Sequence, residues 1–418
     1  MRTLWLAPLS LLAAACGPDI AETTTATTTT ATTGIDESTT GHVDPTTDTG
    51  DASSTSDASS TTGEAPAIDC PDSLPPPIDC EPVPGLCGGA TPIAGGPAAF
   101  VRGSALTRDD VWFILDSTSA NCPEALYRVA KSGGDAHRVH EVDSLFYFEA
   151  DDDAVYLVKP TGDPLSRRIS ALVDGVETVI GETHGDPEWS SSLDTNLVRT
   201  RAGVITYSAT GPKYPGSSLL TPTAMLPLAS VTGAWLGTAP AHDGDRLYFG
   251  WSDHDDEFSL DRKLIGLDGE TTLVLADNAT PRTWPTVAVD ADHVYFATGD
   301  PTGVINQPPE GMGVSRVPKT GGPATPLFPP AVVVIDQVLV DDTHVYFRQA
   351  PGDIYAVAKA GGPLRHVWHG DSYSYDYYYN RVHLDADALY FSLQSPGGDI
   401  PLPGRDFVVR VAKDTAIP

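Results

Sequence analysis

The stretch Val345-Tyr-Phe-Arg-Gln-Ala-Pro-Gly-Asp-Ile-Tyr-Ala-Val-Ala-Lys-Ala-Gly-Gly362 decides the fold. A short apolar run (Val345, Tyr346, Phe347) precedes a polar gap. A second apolar run (Ile354, Tyr355, Val357) ends in Lys-Ala-Gly-Gly. Runs of four to six residues rich in Val, Tyr, Phe and Ile, bounded by Gly, Asp and Pro, read as strands. The paired glycines supply the positive φ of a tight hairpin.

The pattern recurs along the chain. Asp-Asp-Val-Trp-Phe (109–113) leads to Leu-Tyr-Arg-Val-Ala-Lys-Ser-Gly-Gly (126–134), and Asp-Ala-Asp-His-Val-Tyr-Phe (290–296) leads to Val-Ser-Arg-Val-Pro-Lys-Thr-Gly-Gly (314–322). Further copies are anchored on Tyr156, Tyr248 and Tyr390, and a degenerate one spans 201–207. Seven copies result, at a period of 43 to 51 residues. Periods of about 40–50 residues with several short strands each indicate propeller blades. Each copy yields four strands. Strand A precedes the acidic turn, B is the Val-Tyr-Phe run, C is the Val-Ala-Lys run, and D follows the Gly-Gly. The expected fold is all-β, a seven-bladed β-propeller with six blades as the alternative. The last copy stops after strand C. Gly88–Pro97 (GGATPIAGGP) resembles Gly321–Pro330 (GGPATPLFPP), so residues 90–95 are expected to supply the missing strand D.

Upstream of the repeats the composition changes. Met1–Cys16 (MRTLWLAPLSLLAAAC) has one positive charge, an apolar run and small residues before a Cys. It reads as a secretory signal, too short to span a bilayer. Its Ala-Ala-Ala-Cys ending resembles a bacterial lipobox, with Ala13 where Leu is preferred. That resemblance implies cleavage before Cys16 and its lipidation. The alternative is an ordinary cleaved signal with a free Cys16. Residues 16–67 are dominated by Thr, Ser, Ala, Asp and Gly, and no Lys or Arg occurs between Arg2 and Arg102. Such a segment cannot bury enough apolar surface to offset its ordering entropy, and it reads as a disordered tether or a glycosylated stalk. A Cys/Pro-rich segment (68–87) leads into the propeller (88–418). Cys70, Cys80, Cys87 and Cys122 make an even set in an exported chain, which implies two disulfides. Pairings Cys70–Cys122 and Cys80–Cys87 are expected, with Cys87–Cys122 the most disfavoured.

The repeats resemble the Tyr-Trp-Thr-Asp-repeat propellers and the TolB-like propellers of bacterial envelope lipoproteins, over residues 88–418. The fourth-position Asp of that motif is missing, and Phe mostly replaces Trp. The resemblance implies a propeller in the envelope of a Gram-negative bacterium. Gly17 follows Cys16, where an Asp would resemble an inner-membrane retention signal, and this implies lipid anchoring at the outer membrane, periplasmic or surface-exposed. It implies no reaction, because propellers host many.

The 418 residues carry Lys+Arg 25 against Asp+Glu 56, a net charge of −31, which opposes binding to nucleic acid or anionic lipid. In a propeller the A–B and C–D turns share one face and the B–C and D–A connections share the other. The second set is long here and holds Trp189, Trp251, Trp284, Tyr373, Tyr375, Tyr377, Tyr378 and Tyr379, which make a candidate surface for a protein or glycan. Packing between blades is the alternative for the Tyr cluster. Asp253, Asp255 and Asp256 form a weak calcium candidate without the spacing of a known calcium loop; a solvated charge run accounts for them better. His293 and His344 hold the same turn position in two blades and read as structural. No nucleophile elbow, zinc-protease motif or phosphate loop occurs. The expected function is a monomeric, non-enzymatic binding propeller without cofactor, its partner an envelope protein or glycan. The alternative is a propeller hydrolase or lyase acting on envelope or extracellular polymers.

Overall fold

The structure is a computed structural model. It describes residues 72–74, 90–97, 100–116, 123–184, 195–208, 216–230, 234–236, 239–253, 262–268, 271–277, 287–298, 312–329, 335–349, 352–369, 381–393 and 405–414. The chain divides into two units, Met1–Glu64 and Ala65–Pro418, and every described residue belongs to the second. No helix among them is long and apolar enough to cross a membrane.

Seven separate antiparallel sheets follow one another along the chain. Seven buried clusters lie between them, and each joins one sheet to the next. The cluster that unites Ile93 and Tyr390 with Val101 and Phe113 joins the last sheet to the first. Seven sheets with seven interfaces make a closed ring, so the protein is a seven-bladed β-propeller and the six-bladed alternative falls.

The sixth blade shows the plan: A is Ile335–Val340, B is His344–Gln349, C is Asp353–Ala358 and D is Arg365–Trp368. Strand B lies between A and C and between two neighbouring blades, which is why its apolar run is continuous. Tyr156, Tyr248, Tyr295, Tyr346 and Tyr390 hold one equivalent position on B and are fully buried. Trp112 fills that place in blade one and Ile205 in blade three. The glycine pairs 133/134, 321/322 and 361/362 all have positive φ in the C–D turn.

Closure is made by a strand from the front of the propeller. Thr91–Pro97 pairs antiparallel with Arg405–Ala412, from Thr91 opposite Arg410 to Pro97 opposite Arg405, and so becomes strand D of blade seven. Gly95 sits there at φ 110°, and a Cβ on it would lie 2.2 Å from the Asp406 carbonyl oxygen. Asp406 is itself buried, and its carboxylate accepts a hydrogen bond from the Val101 N–H at 3.0 Å, tying blade seven to strand A of blade one.

Two sheets depart from four strands. Ser73–Leu74, in the segment that precedes the repeats, pairs with Ala136 and His137 as a fifth strand of blade one. In blade four the inner strand is broken: Ala234–Leu236 and Ala241–His242 pair with opposite ends of Leu247–Asp253.

Candidate functional site

A propeller offers three places for chemistry: the central channel and its two faces. The channel is lined by the A strands of all seven blades. A cavity of about 530 Å³ occupies its short-turn end, between Leu106, Glu149, Arg199, Gln337, Arg381 and His383 among others.

Four polar side chains of the channel, Gln337, His383, Arg381 and Arg199, are engaged by neighbouring blades. Gln337 of blade six donates from Nε2 to the Val382 carbonyl at 2.7 Å and accepts at Oε1 from the Val382 N–H at 2.8 Å, completing a backbone pair with blade seven. His383 of blade seven holds Nε2 2.6 Å from the Ser104 carbonyl of blade one. A carbonyl can only accept, so Nε2 carries the proton. Nδ1 then faces Glu149 Oε1 at 3.8 Å, beyond hydrogen-bond length. Burial pushes the His383 pKa down, the Arg199 and Arg381 charges add to this, and Glu149 and the Ser104 carbonyl oppose it. Burial thus favours the neutral imidazole. Arg381 reaches across to the Leu197 carbonyl and the Tyr207 hydroxyl of blade three, and Arg199 of blade three reaches the Leu106 carbonyl and Asp152.

The short-turn face carries a repeated fastening. In five of the seven A–B turns the first Asp accepts at Oδ1 from the N–H groups two and three residues on, as Asp341 does from Thr343 and His344 at 2.7 Å each. This is the self-bonding of Asp that favours turns. The other oxygen faces the next blade. Asp341 Oδ2 accepts from the Tyr346 hydroxyl at 3.1 Å and from Lys413 Nζ of blade seven at 2.7 Å. Lys413 also stands over the Tyr346 ring, 5.6 Å from its centroid. The same trio recurs as Asp243–Tyr248–Lys319, Asp290–Tyr295–Lys359 and Asp385–Tyr390–Lys131, with Lys–Asp distances of 2.5, 2.7 and 3.1 Å. Each Lys belongs to the blade after its Asp. Burial pushes these carboxyls up, but the Lys and the two backbone N–H donors outweigh it. Asp243 is held down at about 2, and Asp290, Asp341 and Asp385 are also lowered. The tyrosines go the other way, raised by burial and by the adjacent carboxylate. His293 and His344 donate backbone N–H to Asp290 and Asp341 in these turns, as the structural reading expects.

Of the candidate aromatic surface, Trp251 lies in strand B of blade four, opposite Leu236 and Lys263. Asp253 ends the same strand, opposite Ala234. Trp189, Trp284, Tyr373, Tyr375, Tyr377, Tyr378, Tyr379, Asp255, Asp256 and the cysteines Cys16, Cys70, Cys80, Cys87 and Cys122 fall outside the described residues. Thr298 ends strand B of blade five and Gly313 begins its strand C, both at the end of the ring opposite the A–B turns.

No family model matches the chain, and no curated protein matches it. Solved structures do. The chain is similar to oligogalacturonate lyase in complex with manganese, at 12% identity and a TM-score of 0.49, with 82% of this chain and 98% of that one covered. It is similar to prolyl endopeptidases at 14% identity and a TM-score of 0.49, over 75% of this chain and 47% of theirs. BamB from Moraxella catarrhalis aligns at 13% identity and a TM-score of 0.44, over 78% of this chain and 97% of its own. At these identities no site residue or activity carries over to this chain.

Proposed function

We propose that this protein is a lipid-anchored cell-envelope propeller that binds a protein or glycan partner through its long-connection face and catalyses no reaction. The observation that supports this most is the contrast between the two ends of the ring. One face is fastened blade to blade by Asp–Tyr–Lys trios, and the channel's Gln337, His383, Arg381 and Arg199 are engaged with neighbouring blades. The sequence assigns the long connections to the other face, with Trp and Tyr residues of the kind that supply large amphipathic contact area at low entropic cost.

The test uses the full chain and a Tyr373/Tyr375/Tyr377/Tyr378/Tyr379→Ser variant. Binding to soluble envelope glycans and to purified envelope proteins is measured, with polymer turnover followed in the same samples. A partner bound by the wild type and lost in the Tyr variant, without turnover, is expected. Turnover of a polymer, or binding untouched by the loop substitutions, overturns the reading.

A further inference from the structure

Asp353, His366 and His369 of blade six bring one ligand atom each within 4.8 Å of one another. Sequence spacing hides this. In a regular strand side chains alternate, so residues 366 and 369 would point to opposite faces of the blade. A β-bulge changes that. Ile354 pairs with Trp368 while Tyr355 pairs with His366, leaving Val367 as the extra residue. The bulge puts His366 on the face of Asp353 and Tyr355. Trp368 turns inward, 2% exposed, and His369 returns to the outer face one residue later. Bulges re-aim side chains in this way next to functional sites.

The atoms are arranged as ligands. His369 Nδ1 is 2.6 Å from Asp353 Oδ1, and His366 Nε2 is 3.5 Å from the same oxygen. His366 Nε2 has no hydrogen-bond partner among the described residues and no exposed surface. The His366 ring is fixed by stacking on Tyr355 at 4.7 Å, and His369 meets it edge-on at 5.7 Å. Donors about 2.0–2.2 Å from a tetrahedral ion stand roughly 3.3 Å apart, so the His366 pair already fits and the His369 pair needs to open by about 0.7 Å. The His369 side chain is 55% exposed, so the outer side of the site is reached by solvent.

Other blades serve as an internal comparison. The bulge recurs between strands C and D in blades one, two, three, four and seven. At the equivalent outer positions blades one and two place ion pairs: Arg138 with Glu141 at 2.9 Å, and Arg168 with Glu182 at 3.8 Å. Where those two blades place an opposite-charge pair, blade six has two imidazoles and a carboxylate, the donor set that suits Zn²⁺ and its neighbours. We propose that Asp353, His366 and His369 bind a divalent first-row transition ion, with Zn²⁺ the best match and a fourth place open to water. Binding replaces the hydrogen bond between His369 Nδ1 and Asp353 Oδ1.

The full chain is titrated with Zn²⁺ by calorimetry and with Co²⁺ by visible absorption, which reports tetrahedral nitrogen and oxygen ligation directly. One ion per chain is expected for the wild type. His369→Ala, exposed and safe for folding, and His366→Ala should each weaken it by more than about tenfold, exceeding the low end of what removal of a supporting residue costs. Arg168→Ala in blade two should leave it unchanged. No uptake by the wild type, or a loss of about tenfold or less in both His variants, overturns the site.

Discussion

Lys413 Nζ of the last blade lies 2.7 Å from Asp341 Oδ2 of the blade before it, and 5.6 Å from the centre of the Tyr346 ring. Three more pairs repeat this contact around the ring. Both partners in each pair are mostly buried, so the attraction is screened far less than at an open surface. Asp341→Asn and Lys413→Met should each destabilise the propeller by about 1–3 kcal/mol, since each leaves a charge or turn donor poorly paired. Urea unfolding of the two single variants and the double variant would measure it. Strong non-additivity is expected, and additive losses would show that the two side chains act separately.

The same trios set the acid response. In the unfolded chain these carboxyls take up protons near their ordinary value of 3.8, whereas folded Asp243 holds out to about 2 and Asp290, Asp341 and Asp385 are also lowered. Between those values the unfolded state binds more protons, so acid favours unfolding. This part of the stability is fully present above about pH 5 and is lost as the pH falls toward 2. Urea midpoints at pH 7, 4 and 3 should fall, and fall less steeply in Asp243→Asn. An unchanged slope in that variant would remove Asp243 as a source.

Closure hinges on Gly95. A methyl there meets the Asp406 carbonyl oxygen at 2.2 Å and also strains a backbone at φ 110°. Gly134→Ala strains a similar φ of 125° but meets nothing within 4 Å. Gly95→Ala should therefore cost several times more than Gly134→Ala, which is expected to cost about 1–2 kcal/mol. Deleting 88–97 should go further and cause aggregation, because it bares the edge of Arg405–Ala412. Deleting 20–65 should leave the melting temperature unchanged.

Gln337 completes a backbone pair that no strand supplies. Gln337→Met keeps the volume and strands the buried N–H and C=O of Val382. A loss of about 2–4 kcal/mol is expected, from two unsatisfied groups at about 1–3 kcal/mol each with partial relaxation. Amide exchange at Val382 should rise in the variant, and protected exchange there would point to another partner.

The proposed lipid anchor would be attached at Cys16. Wild-type protein grown with a fatty-acid probe should label and Cys16→Ser should not. Equal labelling of both would sink the anchor.

The blade count was legible because strand B is covered on both faces, which turns it into an unbroken Val-Tyr-Phe signal. The Asp-rich turns and the Gly-Gly hairpins were legible for local reasons too. The lysines were visible after every Val-Ala or Val-Pro run but unread. Their partners sit in the preceding blade, 72 residues away for Lys413 and Asp341, and no local pattern encodes that distance. A signal did exist: Lys131, Lys319, Lys359 and Lys413 each follow a copy with both Asp and Tyr in place, while blades after Thr107/Trp112 and Thr200/Ile205 have no such Lys. His366 and His369 escaped notice for a different reason, since their shared face depends on a bulge at Val367 that strict alternation does not foresee.

The pairing of Thr91–Pro97 with Arg405–Ala412 also dictates an order of events. Six blades can each collapse from neighbouring segments as the chain emerges. The seventh must hold its outer strand waiting, through more than 300 intervening residues, for its partner to be made; Val101 and Asp406 stand 305 apart. Such non-local pairing slows folding, and incomplete molecules expose strand edges. Until Arg405–Ala412 is made the blades form an open, adhesive ribbon, and the step from ribbon to ring waits for that strand. Chaperones that shield strand edges would act on this chain late and all at once.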